Sequence, residues 1–454
     1  MEAVQNKNRD IKVIDSISIS QAIKEDEFLS VEDLVSVKRD SAIKNLKRGL
    51  AEIGELTTEK KWEEILEIFY PVNEKMPELS EHGLDTEFRA KIAFALGQLN
   101  RFDEAIQELT ICTSNNPACF HFHSSLAYTA YNSLYAAKNR EIFLSGTSRR
   151  QRINLAHTHF KKAQSLRPDG VTNFYRQGML FKQIENKNDK ALPLFQKAVS
   201  NWRQLGVKGQ EERQQERKNY IKSLYQLSSC MLSRGKTEKA LEHIKCCLSE
   251  DEKSNYCSLV YKYFAFGKVL FHMNAFIEAK DALLFALQCS TDQSVDFLHE
   301  LLGRTYLAMG NPGRAMEIIK KVPEKQRRPY YRWTEADILC ALRDYNKAKG
   351  VLISSKERDN RSKHKTLIRL SKIEYLLGNF QKSMGYAGEA VSFFNEKWGG
   401  ILHEGLFWQS LAAYRTGELD RARDLANTLK AQKNNYPGLN RLMVKLFPEN
   451  DGDK

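Results

Sequence analysis

The stretch Leu302-Gly303-Arg304-Thr305-Tyr306, followed by Ala315, Ile319 and Val322, decides how this chain folds. Its spacing predicts a helix, a short turn and a second helix packed back on the first. Gly303 and Ala315 fall where the two helices cross, and only a small side chain lets the backbones close there. Tyr306 and Ile319 fill the space on either side of that crossing.

Working outward, the small second-helix residue recurs at Ala105, Ala156, Ala191, Ala240, Ala279, Ala315, Ala348, Ser383 and Ala422, spaced by 51, 35, 49, 39, 36, 33, 35 and 39 residues. Twelve residues upstream lie Ala93, Ser228, Gly267, Gly303, Ala336 and Ser371; Gly178 stands one place early, as if Asn186-Lys187-Asn188 lengthened its turn. Gly310, Gly378 and Gly417 each precede their anchor by five residues, as turn glycines. This set resembles the tetratricopeptide repeat, a helix-turn-helix unit of about 34 residues. The resemblance rests on the periodicity of the whole set, since only residues 299–323 match well alone. It implies an all-α fold, an α-solenoid (a right-handed superhelix) of about nine to ten tetratricopeptide-like pairs, including a degenerate first pair around Trp62, Ile65 and Phe69.

The expected layout is a polar arm over 1–40, a solenoid over 41–433, a capping helix over 434–448 carrying Leu439, Leu442, Met443 and Leu446, and a tail over 449–454. The two long spacings mark insertions near 137–152 and 201–217. The first reads as a basic loop ending Arg149-Arg150-Gln151-Arg152; the second as a loop with the charged run Glu211–Lys218 that enters a longer first helix. Lys325–Arg332 reads as a basic, aromatic linker between pairs. With 10 Pro, 42% hydrophobic and 28% charged residues, the composition suits a water-soluble helical array.

The opening residues lack an apolar stretch of signal-peptide type, and no run of 18 uncharged apolar residues occurs, so a cytoplasmic protein is expected. The eight Cys have no CxxC spacing and read as reduced thiols, several of them on packing positions. Charge is uneven. Residues 51–117 carry six Lys and Arg against 14 Asp and Glu, whereas 118–450 carry 54 against 32. A basic body of this kind suits an acidic partner or a phosphate backbone.

The family's geometry implies that the first helix of each pair lines a concave groove, with the small residue at helix position 8 and positions 2, 5, 9 and 12 facing inward. Those positions give Tyr128 and Tyr131, Tyr175 and Lys182, Lys222 and Tyr225, then Tyr261, Phe264, Lys268 and Phe271. They continue with Arg304, with Tyr330, Trp333 and Asp337, with Lys365, Lys372 and Tyr375, and with Phe407 and Tyr414. An aromatic and basic lining is more than packing between repeats needs, and it points to an extended ligand. The expected function is a non-enzymatic adaptor or scaffold that grips an extended or helical segment of a partner protein, with hydrophobic anchors and acidic flanks. The alternative is single-stranded RNA or DNA, whose bases stack on rings while Lys and Arg follow phosphates. None of the position-9 residues is Asn, which argues against the carboxylate clamp that the family's co-chaperone members use.

No phosphate-cradling G-x4-G-K-[ST], H-E-x-x-H, G-x-S-x-G or kinase motif occurs, so neither a catalytic site nor a cofactor is expected. His121/His123 and His157/His159 are spaced two apart on helices, which points their rings apart and disfavours a metal site.

Overall fold

The computed structural model describes residues 31–290, 295–357, 359 and 361–447. The expected arm lies outside the described residues as far as residue 30, and the tail over 449–454 lies outside them altogether. From Val31 the chain is already helical, so the last ten residues of the expected arm open the first helix. Helices and turns account for the described residues, with no strand among them.

The helices come in antiparallel hairpins. Val31–Thr58 pairs with Trp62–Phe69, Asp85–Gln98 with Phe102–Asn115, Phe120–Asn139 with Gly146–Leu166, and Thr172–Met179 with Asn188–Gln204. Gln214–Ser233 pairs with Thr237–Glu250, Leu259–His272 with Phe276–Gln288, and Asp296–Ala308 with Pro312–Lys320. Pro329–Ala341 with Tyr345–Lys356, Lys363–Leu376 with Phe380–Trp398, and His403–Thr416 with Leu419–Gln432 complete the series. Leu439–Leu446 follows them and buries Leu439, Leu442 and Leu446, which leaves Met443 at the edge. The chain forms two compact units, one up to Tyr220 and one from Ile221, where the sequence predicts one continuous solenoid. It passes from one to the other inside the helix Gln214–Ser233.

All nine anchors, from Ala105 to Ala422, are fully buried at 0% exposure. The reason is visible at the crossings. A Cβ at Gly303 would stand 2.9 Å from Ile319, one at Gly267 2.9 Å from Leu283, and one at Gly178 2.6 Å from Phe195. Each of those three large residues lies 16 or 17 positions downstream and is itself wholly buried. Burying such a side chain contributes about 1.5–3 kcal/mol, so each hairpin gains stability only if its partner position stays small. Serines solve the same problem differently. Ser228, Ser371 and Ser410 turn their hydroxyls onto the anchor carbonyls of Ala240, Ser383 and Ala422 at 2.7–2.8 Å.

Turn geometry repeats as well. Five residues before an anchor the backbone is left-handed at Asn100, Asn186, Gly235, Asn274, Gly310, Arg343, Gly378 and Gly417. Lys60 holds the same place before Ile65 in the first pair. Gly178 is early for a different reason than its turn: Leu180–Ile184 forms a π-helical turn, which adds the extra residue inside the helix.

The insertions are also helical. The residues expected as a basic loop near 137–152 extend both helices of the Ala156 pair to 20 and 21 residues and leave only residues 140–145 as a link. Ser145 caps the second helix by accepting from the Ser148 amide, which lets Gly146–Arg152 continue as helix. In the second insertion a short helix, Val207–Glu212, precedes Gln214–Ser233. Its charged run is bonded inward: the buried Glu216 accepts from the Val171 and Thr172 amides and pairs with Arg167 at 2.8 Å. Lys325–Arg332 is no free linker either, since Arg327 is tied to Glu335 at 2.7 Å and to the Val322 carbonyl.

Candidate functional site

In the first unit the predicted lining turns partly inward. Tyr131 is buried, stacks on Tyr128 with centroids 6.2 Å apart, and donates to Gln183 Oε1 at 2.9 Å. Burial pushes its phenol far up. Arg176 lies 3.7 Å over the Tyr128 ring, and burial lowers the pKa of that guanidinium. Tyr175 packs on Phe195, centroids 6.1 Å apart, and Lys182 is half-buried.

In the second unit the first helices of successive pairs meet edge to edge, and the predicted rings occupy the seams. Tyr261 stacks on Phe297, and Phe264 meets that same ring edge-on at 4.7 Å. Phe271 carries Arg304 at 4.8 Å. The Tyr330 hydroxyl donates to Asp296 at 2.7 Å, and the Trp333 indole donates to Thr366 at 2.8 Å. Lys365 and Arg369 both lie over the Trp333 ring, at 5.3 and 5.4 Å, and Arg369 forks onto the Asp337 carboxylate at 3.0 Å. Tyr375 packs against Phe380 and Trp408, and Arg415 sits 4.4 Å over Phe380. Phe407 packs against Trp408 and Tyr436, and Tyr414 joins the same cluster. Tyr225 is half-buried, and burial pushes its phenol up to about 12; Lys222 beside it on the same helix is half-buried too.

Phe264, Phe271, Trp333 and Phe407 are half-buried, and each already packs against residues of the chain itself. Of the predicted rings, Tyr261 is the most open, at 44% exposure. What the face offers outward is charge. Lys268, Lys365 and Lys372 are exposed, and among the described residues none has a carboxylate at ion-pair distance. Desolvation and the Arg304 charge hold the Lys268 ammonium below its usual pKa. Arg304 stands 3.9 Å from Glu300, whose carboxyl is raised by burial even though it accepts from Thr334 at 2.6 Å.

Phe297 and Glu300 occupy positions 2 and 5 of their helix, so the inward-facing rule contains them; selecting only aromatic and basic residues passed Glu300 over. Arg369 and Thr334 sit at position 6, outside the rule, and only the packing of successive helices brings them in. The histidines also meet in a way their spacing hides: His123 and His159, on the two helices of one pair, approach Nδ1 to Nδ1 at 2.8 Å. His157 pairs with Glu185 at 2.6 Å. Among the described residues no group of three or more His, Cys, Asp or Glu could hold a metal. Cys247 is buried and donates to the Ile221 carbonyl at 3.7 Å.

Nine hairpins with a small anchor, eight of them sharing one left-handed turn geometry, make the described residues an all-α helical repeat of tetratricopeptide-like pairs. No protein-family model matches it, and no curated protein does. Solved structures resembling it include a tetratricopeptide repeat protein from Parabacteroides merdae, at 14% identity and TM-score 0.45, covering 64% of this chain and 98% of that one. Yeast Tom70 matches at 12% identity and TM-score 0.41, covering 90% of this chain and 95% of that one. A chain from the structure of Naa15/Naa10 bound to HypK-THB matches at 12% identity and TM-score 0.41, covering 95% and 72%. No helix among the described residues is long and apolar enough to cross a membrane.

Proposed function

We propose that the first-helix face of the second unit binds an acidic, extended or helical segment of a partner protein, and that the chain works as a cytoplasmic, non-enzymatic adaptor. One observation carries the reading. Cations already lie over the rings of this face: Arg304 on Phe271, Lys365 on Trp333, Arg415 on Tyr375. A guanidinium or ammonium held on a ring is a pre-ordered donor for a carboxylate. Nucleic-acid bases need open ring faces to stack on, and here the chain's own cations compete for them. The ligand's apolar contacts fall instead to the more open Tyr261.

The test is a comparison on the full chain. A labelled Glu-rich peptide with aromatic anchors and a labelled single-stranded RNA are titrated in parallel by anisotropy over a salt series. The reading expects tighter binding of the peptide. Tighter binding of RNA, with a steep salt slope, would move the assignment to nucleic acid.

A further inference from the structure

We infer that the tip of the lengthened hairpin in the first unit is a second docking site, made for an apolar side chain of a partner polypeptide flanked by acidic residues. The site belongs to the first unit and the first-helix face described above to the second, and neither proposal depends on the other. The lengthening of helices Phe120–Asn139 and Gly146–Leu166 carries their link, residues 140–145, beyond the crossing at Ala127 and Ala156. Under the tip is a cavity of about 460 Å³, walled by Leu134, Ala137, Ile142 and Leu144, with Arg140, Glu141 and Arg149 as its charged members. Phe143 borders it and is 90% exposed, which has no packing rationale in a soluble hairpin.

The charges select the occupant. Lys138, Arg140, Arg149 and Arg150 surround the tip against a single acid, Glu141, which accepts from Asn139. The tip is held in place rather than loose. Glu141 N donates to the Ala136 carbonyl at 2.9 Å. Lys138 and Arg149 donate to the carbonyls of Gln183 and Ile184, at the end of the π-turn in the next pair. A concavity of mixed apolar and polar wall, whose charged residues are mostly cationic, suits one inserted side chain with acidic neighbours. An anionic lipid surface fits less well, because it needs a convex apolar tip with free cations, and two of the four are already bonded to the backbone.

The experiment uses the full chain and a designed Glu-rich peptide with a central benzoylphenylalanine, photo-crosslinked and mapped by mass spectrometry. Crosslinks within residues 134–149 are expected. They should fall at least about tenfold when the cavity is filled by Ala137→Phe, or when the peptide's central residue is Ala. Phe143→Ala, at a position too exposed to matter for folding, should reduce them as well, whereas Lys365→Glu/Lys372→Glu in the second unit should leave them unchanged. Crosslinks absent from this segment, or indifferent to both tip variants, would overturn the proposal. So would Phe143-dependent capture by phosphatidylserine vesicles without peptide binding.

Discussion

Ser228 donates its hydroxyl to the backbone carbonyl of Ala240, 2.8 Å away on the other helix of its hairpin. The same bond, again twelve residues apart, joins Ser371 to Ser383 and Ser410 to Ala422. A position that sequence inspection reads only as small is thus also a hydrogen-bond site. Its two roles separate by mutation. Ser410→Ala keeps the size and loses the bond, and should cost about 1 kcal/mol. Ser410→Leu forces the helices apart and should cost about 2–3 kcal/mol. Urea denaturation of the two variants reads the difference directly; equal losses would show that size is irrelevant.

The turns make an opposite pair of predictions. Arg343 holds a left-handed backbone with φ 63° and an exposed side chain, a conformation that only glycine adopts without strain. Arg343→Gly should therefore stabilise by about 0.5–1 kcal/mol, the relief of strain outweighing the greater entropy of the unfolded chain. Gly417→Ala, at φ 84°, should destabilise by about 1 kcal/mol. Thermal melts of both variants settle the sign.

Lys262 and Asp251 form an ion pair at 2.9 Å with both side chains fully buried, and the Asp251 carboxylate also accepts from the Tyr256 and Cys257 amides. Lys262→Met leaves that carboxylate buried without its cation and should cost about 3 kcal/mol. Restoring a cation with Lys262→Arg should recover only part of the loss, because the larger guanidinium does not fit a cavity shaped for an ammonium.

Stability of the first unit should fall with acid, in part through His159. Burial first, and His123 second, lower the His159 pKa from 6.5 to about 4. The unfolded chain therefore binds a proton that the folded one refuses between those values. Stability is complete above pH 6.5 and is lost as pH falls toward 4. In thermal melts at pH 7 and pH 5, His159→Asn should show a smaller drop between the two than the wild type. An equal drop would assign the acid sensitivity elsewhere.

The hairpins were legible because crossing imposes a small residue at a fixed spacing, and Ala105 through Ala422 obey it. The turns were legible only where glycine marks them. Asn100, Asn186, Asn274, Arg343 and Lys60 adopt the same left-handed geometry with exposed side chains, and Arg343 and Lys60 are residue types that do not announce it. The π-turn at Leu180–Ile184 and the helical insertion after Phe143 were hidden because charge and a lone Gly146 imitate a loop. The candidate face was half legible. Position along a helix chose Tyr261, Lys268 and Lys372, which are exposed, but it could not show that Trp333 and Phe264 are held by Thr366 and Phe297 of the next repeat.

The central claim is that this face reads acidic protein through its cations. It is tested most directly by calorimetric titration of one Glu-rich aromatic peptide into the wild type and into Lys365→Glu/Lys372→Glu, two exposed positions with no ion pair among the described residues. The account predicts at least about a tenfold loss of affinity in the variant, together with a weaker dependence on salt. Unchanged affinity, with the variant still folded, would contradict it.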